Sequence, residues 1–225
     1  MLGYTNIPAT LCEYALVNRK VNQLKLYIFL KINSNGEVGF NDRCYNEWAR
    51  AISVSSKTIK NSLVWLIKNK WITVNSKRKT LKIISYRNLA RKLNLKFKNG
   101  YLFEPTDYKY FKGMCCGVVI TFYMNRKRYF NRQSGNIKGF AKSKNCKKND
   151  GFTPMPNNYL ANSICVSLAT AYRYKVEAEN GGFIETKSNQ NKPTRNPNQR
   201  KTKMVLHIRY FFVGNNWKSI ISSKL

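Results

Sequence analysis

The chain has 225 residues, enough for one large domain or two of about 100 residues each, and its 43% hydrophobic content suits a folded body rather than a disordered basic tail. Lys and Arg number 41 against 10 Asp and Glu, a formal net charge of +31. A compact body so charged repels itself and makes most sense beside a polyanion, nucleic acid first and an anionic membrane surface second. The six cysteines (Cys12, Cys44, Cys115, Cys116, Cys146, Cys165) contain no Cys-x-x-Cys pair, and only His207 adds an imidazole, so no zinc or other metal site is expected.

In chain order, the run LYIFL (26–30) is short and flanked by lysines, so no signal peptide is expected, and a cytoplasmic location with reduced thiols follows. From Arg19 the spacing of Val21, Leu24, Tyr27, Ile28 and Ile32 predicts an amphipathic helix with its lysines on the wet side, stopped by NSNG. EVGF reads as one strand. Asn41 or Asp42 then caps a helix through Ala51, with Trp48 and Ile52 facing inward. After a break at 53–56, a helix over 56–69 buries Ile59, Leu63, Leu66 and Ile67, and WITV and LKIIS form two strands around the basic turn NSKRK.

A linker is expected over 91–106, separating a domain at 1–90 from a second at 107–225. The stretch 107–133 reads as the first helix of a second copy, or as strand, because Gly113, Gly117 and a β-branched run weaken the helix by about 1 kcal/mol per glycine. Its apolar part, GMCCGVVITFYM (113–124), is too short for the ~18 residues that span a bilayer. Pro156 and Asn157 mark a helix start, and a further helix runs to Asn180. GGFIETK and KMVLHIRYFFV read as two strands joined by SNQNKPTRNPNQRKT, a polar loop without an acid.

The stretch 48–74 recurs at 160–186. A constant offset of 112 places Ala49 on Ala161, Ile52 on Ile164, Val54 on Val166, Ser55 on Ser167, Thr58 on Thr170, Trp71 on Phe183 and Ile72 on Ile184 without a gap. That is the signature of an internal repeat.

Helix, strand, two helices and a hairpin, with alanines where the helices approach and serines opening the third helix, resembles the winged helix-turn-helix of bacterial DNA-binding proteins. The expected fold class is therefore α+β, with two winged helix-turn-helix domains in tandem. The resemblance implies that the third helix enters the major groove of duplex DNA, so Ser55, Ser56, Lys57, Lys60 and Asn61 face DNA in the first unit, with Lys77, Arg78 and Lys79 at the wing tip. In the second unit Ser167, Thr170 and Arg173 take the helix position, and Lys187, Lys192, Arg195, Arg200, Lys201 and Lys203 form a long basic wing. There Lys175 replaces Leu63, and Glu177 and Glu179 bring negative charge onto the helix, against base reading.

Two such units in a chain of this size resemble the replication initiators of bacterial plasmids, which implies repeated origin sequences, a dimerising role for one domain and a location on plasmid or nucleoid. A transcription regulator or a phage replication-organising protein fits the same pattern, so replication or transcription machinery stands as a further partner. Enzyme chemistry is not expected. Histidine-based strand nicking needs more than His207, the acids offer only Glu104 with Asp107 and Glu177 with Glu179, no phosphate-binding glycine loop is present, and Cys115 with Cys116 reads as packing, so no catalytic residue and no cofactor are assigned. A membrane-surface protein and an RNA- or ribosome-associated protein remain as alternatives of another class. Against them stand apolar faces already used by the two cores and aromatics at core spacing.

Overall fold

A computed structural model describes residues 5–96, 99–133, 153–187, 204–207, 211–213 and 216–218. The chain is an α+β protein in which one order of elements occurs twice. The first set is α2 (Val21–Ile32), β2 (Glu37–Gly39), α3 (Cys44–Ala51), α4 (Ser56–Lys68), β3 (Ile72–Asn75) and β4 (Thr80–Ile83). The second is α6 (Phe111–Gln133), β6 (Thr153–Pro154), α7 (Asn157–Ser163), α8 (Leu168–Asn180), β7 (Ile184–Lys187) and β8 (Met204–His207). The sheets match as well. The last strand of each set lies in the centre, flanked by the other two, in the orders β2-β4-β3 and β6-β8-β7, all antiparallel.

Local chemistry explains the helices. Ser55 and Ser167 are extended at their N-caps, and each accepts a hydrogen bond from the backbone N–H three residues on, which satisfies one of the orphan donors of a first turn. Ile59, Leu63 and Leu66 recur at helical spacing and are buried. Asn41 Oδ1 accepts from the N–H groups of Arg43 and Cys44, which ties down the start of α3. The stretch 107–133 is helical, a 3-10 turn (Pro105–Tyr110) running into α6. Its glycines serve packing, because a Cβ on Gly113 would lie 2.6 Å from the Glu177 carbonyl and one on Gly117 would lie 2.8 Å from Phe183 Cβ. Close approach to α8 and β7 takes the place of helix propensity there.

Several elements differ from the sequence expectation. β1 (Thr5–Pro8) and α1 (Ala9–Val17) precede the first repeat, and α5 (Tyr86–Lys92) follows its hairpin. The stretch expected as a linker contains β5 (Asn99–Phe103), which pairs with β1 from Thr5↔Phe103 to Pro8↔Gly100. The segment expected as one strand, KMVLHIRYFFV, is divided. β8 stays with β6 and β7, whereas β9 (Phe211–Val213) pairs with β5 and with β10 (Asn216–Lys218), giving a four-stranded sheet β1-β5-β9-β10.

Buried residues of both repeats and of α1 form one hydrophobic cluster. Trp71 and Phe183, equivalent in the repeat, are each 1% exposed beneath their sheets. Within the second repeat α6 packs most extensively on α8, and it also packs on α1 and α2 of the preceding part of the chain. Lys25, expected on a wet face of α2, is buried, because α1, α4 and α6 all pack against that helix.

Candidate nucleic-acid interface

The corner between α3 and α4 is built by a left-handed residue and a capping hydroxyl. Ser53 has φ 53°, which turns the chain, and Val54 N–H donates to the Ala49 carbonyl at 3.0 Å. Ser55 Oγ then accepts from Thr58 N–H at 3.1 Å and lies 2.8 Å from Thr58 Oγ1. The second corner repeats these features bond for bond. Cys165 has φ 53°, Val166 N–H donates to the Ala161 carbonyl at 3.0 Å, Ser167 Oγ accepts from Thr170 N–H at 3.2 Å, and its oxygen lies 2.9 Å from Thr170 Oγ1. The repeat is therefore one of hydrogen bonds and dihedral angles as well as of residue types.

On α4, Ser55, Lys57, Lys60 and Asn61 are exposed and Ser56 is half-buried, opposite the face that holds Ile59, Leu63 and Leu66. Ser56 Oγ donates to Asn46 Oδ1, and the Lys60 ammonium lies 5.1 Å from the centroid of Tyr45, so two residues of α3 orient the polar face of α4. Below them is a shallow open depression of about 480 Å³ lined by Asn46, Ala49, Arg50, Ser53, Val54, Ser55 and Ser56. Lys77, Arg78 and Lys79 are exposed in the turn between β3 and β4. Asn75 Oδ1 accepts from Arg78 N–H at 3.3 Å, and Lys79 is left-handed with φ 49°. Lys77 borders a second depression, of about 440 Å³, with Thr73, Val74, Asn75 and Lys82 among its walls, and the two depressions share no lining residue.

In the second repeat, Ser167 and Arg173 are exposed, Thr170 is half-buried, and an Arg173 guanidinium nitrogen donates to Thr170 Oγ1 at 3.3 Å. Lys187 ends β7. Lys192, Arg195, Arg200, Lys201 and Lys203 lie outside the described residues. Lys175, at the place of Leu63, is buried and donates from Nζ to the Met155 carbonyl at 2.7 Å.

The acids of α8 are turned away from this face. Glu177 Oε1 accepts from Gly113 N–H at 3.3 Å near the start of α6, and Glu179 Oε1 accepts from Thr186 N–H at 3.3 Å and Thr186 Oγ1 at 2.6 Å. Glu104 and Asp107 form a reciprocal cap on the 3-10 turn, and Glu13 receives the Tyr123 hydroxyl. Among the described residues five acids are thus engaged in internal hydrogen bonds, and the two of α8 lie away from the exposed first turns of that helix.

Sequence reasoning missed Asn46 and Arg50. Both follow from geometry, being solvent-facing residues of α3 at the mouth of the corner, and the signal available was their spacing of four on a helix whose buried residues are Trp48 and Ala49. It also missed the exposed Leu168 and Tyr172 on α8. Cys115 and Cys116 are fully buried, and burial raises both thiols, Cys116 to about 12, as packing residues should behave. Among the described residues no group of three His, Cys, Asp or Glu could hold a metal ion, and no helix is long and apolar enough to cross a membrane.

Comparison with protein-family models, with curated proteins and with solved structures gives no match to this chain.

Proposed function

We propose that the chain binds double-stranded DNA through two winged helix-turn-helix units in tandem, as the initiator of replication of a plasmid or other mobile element. The observation that carries this reading is the duplicated corner, in which the same left-handed turn, the same capped helix and the same sheet order occur twice in a chain of charge +31. Each corner presents the first turns of a helix to solvent with no carboxylate on the exposed face, which suits insertion into the major groove. The basic hairpin turn at Lys77, Arg78 and Lys79 suits the neighbouring phosphates. No catalytic residue and no cofactor are needed for this role.

Titration of labelled random and selected duplexes tests it. Contact with about 6–10 phosphates makes affinity fall by ~10³ to 10⁵ between 50 and 200 mM salt, and a flat dependence removes the reading. Fragments selected from random duplex then separate the biological settings. Direct repeats at fixed spacing support initiation, whereas a palindrome supports a dimeric transcription regulator.

A further inference from the structure

The two repeats carry different chemistry on the same face. With the corners aligned, Ser56, Lys57, Lys60 and Asn61 of α4 correspond to Leu168, Ala169, Tyr172 and Arg173 of α8. Leu168 is 48% exposed and Tyr172 49% exposed, one helical turn apart on a single stripe, with Ala169 exposed beside them. A lone exposed apolar residue is ordinary. A pair on the leading turn of a helix, at positions that the sister helix fills with a hydroxyl and an ammonium, is not accounted for by the core, which α8 serves through Ala171, Lys175 and Ala178. Tyr159, also half exposed, differs in having a ring partner, packing edge-on against Tyr123 at 5.9 Å.

We infer that α8 reads thymine methyl groups in the major groove, while α4 reads base edges by hydrogen bonding. This rests on the duplex-binding reading above and gives it a division of labour. The C5 methyl of thymine is the base-edge group of the major groove that takes an apolar side chain, as N7, O6, N6 and N4 take polar ones. Leu168, Ala169 and Tyr172 supply that apolar surface, and Arg173 supplies a cation beside it for the flanking phosphate. Charge selects DNA over a second copy of the chain as the occupant. Two bodies of +31 repel, and the carboxylates of α8, which could pair locally with a second copy's lysines, are turned to Gly113 and Thr186 instead.

The test uses the full chain, a duplex it selects from random fragments, and the same duplex with uracil at every thymine, which removes the methyl and keeps every hydrogen-bonding group. Wild-type protein should bind the uracil duplex about fourfold more weakly for each methyl buried against Leu168 or Tyr172, the worth of one methyl-sized group. The double variant Leu168→Ser/Tyr172→Lys gives α8 the residues of α4. Both positions are exposed, so its melting temperature should stay close to that of the wild type, and it should bind the two duplexes equally. Equal wild-type affinity for thymine and uracil duplexes overturns the inference and leaves duplex binding standing. A thymine preference that survives in the double variant overturns it too, since the methyls are then read elsewhere. So does a double variant that turns a dimer into a monomer with its thymine preference intact, which makes the face a self-association surface. A chain that holds no duplex at any salt brings down the DNA-binding reading itself, a different failure from the other three.

Discussion

Ser53 and Cys165, 112 positions apart, hold the same left-handed backbone angle, φ 53° at each. Neither is glycine, so each corner carries a conformational cost that its helix packing and Ser cap must offset. A β-branched side chain tolerates that region worst. Ser53→Val and Cys165→Val should each lose about 1–2 kcal/mol in urea unfolding, whereas Ser53→Gly should lose none of it. A harmless valine at both sites would mean that the corners are not built as described.

Gly113 offers a reversal of sign. Alanine for glycine inside a helix ordinarily gains up to about 1 kcal/mol. Here the added Cβ would meet the Glu177 backbone carbonyl at 2.6 Å, an atom that cannot swing aside. Gly113→Ala should therefore destabilise the chain by about 1–3 kcal/mol by separating α6 from α8. A raised melting temperature would contradict the close approach.

What the sequence reveals is local. Ser55, Ser167 and the apolar spacing of Ile59, Leu63 and Leu66 act within a turn or two, so the corners and third helices can be read directly. The pairing of β1 with β5 joins Thr5 to Phe103, and nothing in either short stretch names its partner, so the second reads as a linker and the first gives no signal. The same holds for Phe211–Val213, which looks continuous with the preceding strand and belongs to another sheet. Glu177 and Glu179 mislead for a related reason. A carboxylate on a helix counts against DNA until its hydrogen-bond partners, here on α6 and β7, are known.

Leu63 and Asn61 lie on opposite faces of α4, the first 2% exposed and the second turned to solvent. Leu63→Ala opens a cavity and should cost about 2–5 kcal/mol. Asn61→Ala should change stability by less than about 0.5 kcal/mol and relax the preference among base pairs, since an Asn amide can pair with an adenine edge. Thermal melts and competition binding measure the two. The opposite pairing of effects would mean that the helix is rotated.

Lys25 gives a pH dependence with a defined sign. Burial lowers its ammonium to about 8, with Cys115 and Glu177 partly opposing the shift. In the unfolded chain the proton is held to about 10.4. Between those values this lysine binds more of its proton in the unfolded state than in the folded one, so its contribution to stability rises with pH, and below about 8 the burial cost is present in full. The thiols of Cys115 and Cys116, raised by burial, ionise at about 8.5 in the unfolded chain alone and oppose that rise, as buried tyrosines such as Tyr27 and Tyr86 do from about pH 10. Lys25→Met should raise the urea midpoint at pH 7 and make the slope of stability against pH more negative than that of the wild type between about pH 8 and 10. An unchanged slope would place that lysine in water.

Helix and hairpin should divide affinity from specificity in the first unit. Lys57 and Lys60 stand on the exposed face of α4, Lys60 steered by the Tyr45 ring, whereas Lys77, Arg78 and Lys79 crowd a four-residue turn away from the corner depression. In the proposed complex a charge on the helix in the groove would act next to base edges, and a charge on the hairpin would act on phosphates, which are alike in every sequence. Neutralising Lys77, Arg78 and Lys79 to Gln should weaken all duplexes by the same factor and flatten the salt slope by roughly one unit for each phosphate no longer neutralised. Neutralising Lys57 and Lys60 should narrow the gap between a selected and a scrambled duplex, because each good base contact is worth about 1–3 kcal/mol of discrimination and only the selected duplex forfeits it. Titrations of both variants on both duplexes at two salt concentrations separate the roles. If the hairpin variant loses discrimination while the helix variant loses only strength, the hairpin is the reader and α4 the clamp.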